Sequence, residues 1–118
     1  MMNSFIINEE QQRQLENYIK LLLEWNNKIN LIGKSTIDDL WNRHIVDSAQ
    51  LMKFLSEEEL KNCKCADFGT GAGFPGLPLK IANNSLEITL LDSLNKRINF
   101  LNEVILNILS KSSNRPIF

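Results

Sequence analysis

Two aspartates and a set of closely spaced glycines are the residues of this 118-residue chain best placed to do chemistry. The segment "CADFGTGAGFPGLPLK", residues 65–80, holds four of the five glycines and two of the three prolines. Gly69, Gly71 and Gly73 read G-x-G-x-G. Gly71, Gly73 and Gly76 overlap with them as G-x-G-x-x-G, the spacing of a dinucleotide-binding turn. Glycine permits positive φ and lets the backbone approach a ligand closely. Asp67 stands just before the loop, and Asp92 follows Gly73 by 19 residues. An acid at about that distance meets ribose hydroxyls in nucleotide-binding folds.

Charge and proline placement bear on which nucleotide the loop suits. A carboxylate at Asp67 repels a pyrophosphate and attracts an amino or sulfonium cation. Pro75 and Pro78 remove two backbone N–H groups from the first turn of the next helix, where anions are usually held. The combination suits an adenosine-type ligand that carries an amino acid and no phosphate, which describes S-adenosylmethionine. The opposing reading is that Asp67 and Asp92 only cap turns and the glycines only serve geometry. A nicotinamide-dependent oxidoreductase half-domain is a rival enzymatic reading, and a helical interaction module is a non-enzymatic one.

The elements that must position these residues follow from periodicity. Asn8 with Gln11 forms a capping-box pattern, and Leu15, Tyr18, Ile19, Leu22 and Trp25 recur at helical spacing, predicting a helix to about Lys28. Thr36 with Asp39 predicts a second helix with the stripe Ile37, Leu40, Trp41, Ile45 and Val46. Ser56 with Glu59 opens a further helical turn. The spacing then changes. "CADF" reads as a strand, "PGLPLKIA" as a helix, "LEITLLD" as a strand buried on both faces, and "NKRINFLNEVILNIL" as a helix whose apolar face holds Ile98, Leu101, Val104, Ile105 and Ile108. The fold class is therefore α/β. A helical segment, residues 1–62, precedes the first βαβα part of a doubly wound domain, residues 63–109, and residues 110–118 form an atypical tail, all in one domain.

Composition sets outer bounds. Hydrophobic residues at 43% and charged residues at 23% describe a globular chain. The net charge of −1 gives no whole-chain signature of nucleic-acid binding. The longest apolar runs fall short of a membrane span, and "MMNSFIINEE" lacks the basic start of a secretory signal, so a cytoplasmic setting is expected. Cys63 and Cys65 read as two reduced thiols, since two ligands do not make a zinc site.

The blocks "NLIGKSTIDDLWNRHIVDS", "DFGTGAGFPGLPL" and "LLDSLNKR" together resemble the bacterial ribosomal RNA small subunit methyltransferase G family, formerly glucose-inhibited division protein B. The resemblance runs from the first helix to about Leu109. It implies a Rossmann-like fold and methylation of guanine N7 in 16S rRNA, with S-adenosylmethionine as donor and the rRNA or a ribosomal subunit precursor as partner. It also implies that Gly69 and Phe74 contact the cofactor, that Gly71 and Gly73 shape the loop, and that Asp92 binds ribose. Phe74 stands where leucine is usual. The catalytic residue is not assigned. "RHIVDS" has two readings: Arg43 and Asp47 as a surface ion pair, or Arg43 or His44 facing cofactor or rRNA. Trp25 and Trp41 are expected in the core.

Family members continue for several more strands and helices. The chain is accordingly expected to be either a truncated frame, an inactive fragment of the enzyme, or one half of a split protein whose C-terminal half is encoded separately. Its two-stranded sheet is expected to have open apolar edges.

Overall fold

The computed structural model describes residues 7–54, 56, 58, 61 and 64–109. The first helix, α1, spans Glu9–Asn26. Its start is fixed by the predicted capping box: the Gln11 N–H donates to the Asn8 side chain and the Asn8 N–H donates to the Gln11 side chain, both at 2.8 Å. Loss of such a cap costs about 1 kcal/mol. Leu15, Tyr18 and Leu22 are fully buried, and Ile19 and Trp25 pack against the same core. The helix ends at Asn26 rather than Lys28 because the Asn26 carboxamide accepts the N–H groups of Leu31 and Ile32, at 2.8 and 3.0 Å. That turns the chain before Gly33.

Helix α2, Lys34–Ile37, is a single turn entered from Gly33. The expected cap at Thr36 does not form. The Thr36 hydroxyl instead donates back to the Gly33 carbonyl at 2.9 Å, inside the turn it was expected to open. A continuous helical run follows, called α3 here: a π-helical stretch Trp41–Val46, an α-helical stretch Asp47–Ala49 and a 3-10 stretch Gln50–Phe54. Leu40, Ile45 and Ala49 point into the core. No ion pair joins Arg43 to Asp47. The surface pair that their i,i+4 spacing offers is therefore not made. The Ser56–Glu59 box, Cys63 and the tail 110–118 involve residues outside those described.

Strands β1, Lys64–Phe68, and β2, Glu87–Leu91, are parallel, with Lys64 opposite Glu87 and Phe68 opposite Leu91. Helix α4, Gly76–Ala82, connects them. Helix α5, Asn95–Val104, continues as a π turn over Ile105–Leu109. Phe100, Leu101, Val104, Ile105, Ile108 and Leu109 are buried on one face. Helix α1 ties the layer together. The Gln11 carboxamide donates to the carbonyls of Ile81 and Ala82, both at 3.1 Å, satisfying acceptors that the end of α4 leaves open. The buried Gln14 carboxamide donates to the Ile108 carbonyl at 3.4 Å.

The strands are not buried on both faces as the apolar run predicted. Ile88 and Leu90 are buried, whereas Glu87 and Leu91 are exposed, and β1 alternates in the same way. Residues of α1, α4 and α5 form one core with Ile88 and Leu90. Among the described residues no helix is long and apolar enough to cross a membrane.

Candidate functional site

The glycine loop leaves the carboxyl end of β1 with positive φ at Gly69, Gly71 and Gly73. Gly73 is fixed twice over. Its φ of 100° disfavours any side chain, and a Cβ there would stand 2.5 Å from a Leu77 methyl and 2.9 Å from the Tyr18 hydroxyl. At Gly76 a Cβ would meet Leu90 at 2.5 Å and the Asp67 carboxylate at 2.9 Å. Gly76 therefore lets α4 start directly against both strands, the close helix–sheet approach that the third glycine of the pattern serves.

The two aspartates are the polar skeleton of the loop. Asp67 Oδ2 accepts from the Thr70 hydroxyl at 2.7 Å and from the Gly76 N–H at 3.0 Å. Asp92 Oδ2 accepts from the Gly71 N–H at 2.8 Å, and Oδ1 accepts from the Leu94 N–H at 3.0 Å. Arg97 reaches the same Oδ1 at 3.5 Å, and the Asp92 side chain is 1% exposed. Burial pushes the Asp92 carboxyl up, but the N–H groups of Leu94 and Gly71 and the Arg97 guanidinium outweigh it and hold the group below the usual carboxylate range. The carboxylate is thus ionised in its pocket and bonds β2's end to the loop after β1.

The backbone donors of the loop are largely spoken for. Thr70 N–H donates to the Leu91 carbonyl, and Gly73 and Phe74 N–H both donate to the Thr70 carbonyl. Gly71 and Gly76 N–H go to the two aspartates, and Leu77 N–H goes to the Gly73 carbonyl. Pro75 immediately precedes α4, and Pro78 sits in its first turn. A phosphate group needs several of these donors free. With these N–H groups taken, the loop offers few donors to a phosphate.

The underside of the loop is packed. The Tyr18 hydroxyl donates to the Ala72 carbonyl at 2.5 Å, and complete burial, with Asp67 adding to it, raises its pKa well above the usual phenol value. Phe74 lies between two rings. Tyr18 is 5.8 Å away, and His44 stacks on it at 4.6 Å and 9° between planes. The His44 Nε2 is 3.1 Å from the Thr36 hydroxyl. Partial burial lowers the His44 pKa, with Asp47 opposing and Arg43 reinforcing the shift, so the ring is neutral at pH 7. Arg43, His44, Asp47, Ser48, Leu51, Phe74 and Pro75 line an open cleft of about 270 Å³ beside the loop.

The structure therefore brings Asp67, Gly71, Gly73 and Asp92 together through hydrogen bonds of one loop, places Gly69 at its start with positive φ, and sets Phe74 at its edge, half-buried. Trp25 packs on Phe100 at 5.7 Å, and Trp41 packs partly against the core, as expected for both. Sequence reasoning missed Thr70 and Arg97 as partners of the two acids. The Asp67–Thr70 spacing of three is a local side-chain signal that could have flagged the first. Arg97 carries no such signal, because its reach to Asp92 depends on the turn at Leu94.

Comparison with known proteins is consistent with this geometry. A family profile described as rRNA small subunit methyltransferase G matches residues 11–114, five residues beyond the limit read from the sequence. The chain is 48% identical over 99 residues to the ribosomal RNA small subunit methyltransferase G of Lachnoclostridium phytofermentans. It is 48% identical over 98 residues to that of Clostridium botulinum, and 45% identical over 101 residues to that of Streptococcus pyogenes. These alignments cover 83–84% of the chain and 40–41% of the relatives, so the chain spans about 40% of the length of the curated proteins it matches. On the profile match and these identities, the chain belongs to the rRNA small subunit methyltransferase G family.

Proposed function

We propose that this chain carries the donor-binding part of a cytoplasmic methyltransferase that uses S-adenosylmethionine to methylate guanine N7 of 16S rRNA. The observation that supports the donor most directly is the consumption of the loop N–H groups by Asp67, Asp92 and the loop's own carbonyls. A dinucleotide pyrophosphate would have to displace those bonds against two carboxylates. A sulfonium or amino group would be attracted by them.

When bound, S-adenosylmethionine supplies an electrophilic methyl group on a sulfonium. The chain's own residues hold and orient. Asp92, whose side chain is 1% exposed, would take a ribose hydroxyl in exchange for its long, 3.5 Å contact with Arg97. Asp67 sets negative charge under the loop, and Gly69, Gly71 and Gly73 let the backbone come close. Phe74, fixed by Tyr18 and His44, closes the edge. Guanine N7 offers a lone pair and has no proton to lose. Transfer then depends on in-line placement, a proximity effect, and needs no general base. The methyl would pass to N7 with its bonding pair left on sulfur, so these residues need supply neither acid nor base.

Completion of the pocket is part of the proposal. Phe68 is 78% exposed and Leu91 38% exposed on the uncovered sheet face. Further polypeptide, in the same chain or supplied separately, covers that face and holds the adenine. A chimera of residues 1–109 with the remaining length of the Lachnoclostridium relative tests both ideas. Labelled methyl groups should enter small-subunit RNA at a guanine N7, and the D92A chimera should lose donor affinity. Tight binding of NAD by the folded chimera, with no methyl transfer, would overturn the reading.

A further inference from the structure

We propose that a second cleft, between the end of α1 and the start of α5, binds a phosphate group. Asn27, Lys28, Ile29 and Asn30 form one wall, and Leu94, Lys96 and Arg97 form the other, enclosing about 370 Å³. Three of these side chains are cations, two are carboxamides and none is acidic. The cleft beside Phe74, by contrast, sets Asp47 against Arg43 and is close to neutral. A chain with net charge −1 thus concentrates positive charge in one concave place, which whole-chain composition conceals.

The cost of this arrangement also points to an anion. The first turn of α5 carries Lys96 and Arg97 and no acid, the reverse of what the helix dipole favours. Lys28 sits over the Trp25 ring, 5.6 Å from its centroid, which fixes the stem of the side chain on the α1 wall. Arg97 contacts Asp92 only at 3.5 Å and on one oxygen, so most of its donors remain for a ligand. Through Asp92 it is one residue removed from Gly71 of the loop. A phosphate held here lies alongside the loop, where a strand presenting its base to a donor would pass. The inference rests on the rRNA reading for the source of that phosphate, but not for the site itself.

The chemistry is shared by an RNA backbone phosphate and a free phosphate, so the test has an arm for each. Lys28 and Lys96 are exposed and outside the donor loop, so K28Q/K96Q leaves folding and the loop intact. A fluorescent single-stranded RNA is titrated by anisotropy at several salt concentrations, and inorganic phosphate is titrated by amide NMR. Losing the one phosphate contact lowers the salt slope by about 0.7, so between 50 and 200 mM salt the wild type loses about 2.6-fold more affinity than the variant. The charge-preserving K28R/K96R should restore the slope. RNA binding with that slope change assigns the site to the nucleic-acid backbone. Shifts at Leu94, Lys96 and Arg97 with inorganic phosphate alone, lost in K28Q/K96Q, assign it to a free anion. Equal RNA affinity and slope in both proteins, with no phosphate-dependent shifts, overturns the proposal. Donor binding measured on the same K28Q/K96Q protein separates this outcome from failure of the methyltransferase reading.

Discussion

The two faces of one pair of strands differ sharply. Inward, Cys65 and Asp67 of β1 stand opposite Ile88 and Leu90 of β2, under α1, α4 and α5. Outward, Ala66 and Phe68 stand opposite Thr89 and Leu91, with Phe68 78% exposed. The inner face is finished to the level of single atoms: Gly73 and Gly76 have no room for a methyl, and both aspartates have their partners. The outer face is mixed, with Lys64 and Glu87 at one end and the exposed apolar pair Phe68 and Leu91 at the other. The glycine loop belongs to the finished face, where Asp67, Tyr18 and Leu77 set its shape.

The comparison breaks most readily at Gly73. Gly73→Val adds a side chain where φ is 100° and a methyl would already lie 2.5 Å from Leu77. Backbone strain and overpacking together should cost about 3 kcal/mol or more, a large share of a small domain's stability. Urea unfolding followed by tryptophan fluorescence measures it. Ala66→Val, at an outward, exposed position, should cost far less.

A smaller loss is expected at Tyr18. Tyr18→Phe keeps the ring contacts to Phe74 and Phe100 and removes the donor to the Ala72 carbonyl. A buried carbonyl left without its partner costs about 1–3 kcal/mol, readable as a lower urea midpoint with an unchanged slope.

Much of this inner face was legible in the sequence. The Asn8–Gln11 box, the α1 stripe and the strand–loop–helix order follow from local pattern, whereas the bond from Gly71 to Asp92 spans 21 residues and does not. The outer face was not, because "LEITLLD" is apolar enough to read as buried twice, and local pattern cannot say whether a second layer is present. Thr36 misled for a similar reason. A Ser/Thr–acid spacing marks a cap only if the chain enters the helix there, and it enters at Gly33. The role of His44 was undecidable from "RHIVDS", since its partner Phe74 is 30 residues away.

His44 gives a milder, pH-dependent test of the finished face. Its folded pKa is lowered, so below the ordinary histidine range, about 6.5, the unfolded chain takes up a proton that the folded chain resists. Stability should be fully present above that range and fall as pH drops from about 7 to about 5. His44→Phe should keep the stack on Phe74 and flatten this part of the profile, measured as urea midpoints at the two pH values.

The smallest effect belongs to the outer face. Phe68→Ser should change stability by no more than about 0.5 kcal/mol, since the ring is mostly in water already. It should, however, reduce self-association, because an exposed apolar patch at an open sheet edge favours pairing. Light scattering across a concentration series distinguishes the two proteins. A large loss of stability would show that the face is covered in solution.

The central claim is that the glycine loop is shaped for a phosphate-free cationic donor. The chain has only five glycines, so their amide resonances are readily followed by ¹⁵N NMR. Titration with S-adenosylmethionine should move Gly69, Gly71 and Gly73, and NAD at the same concentrations should leave them in place. Movement of those three resonances by NAD, with none by S-adenosylmethionine, would contradict the account.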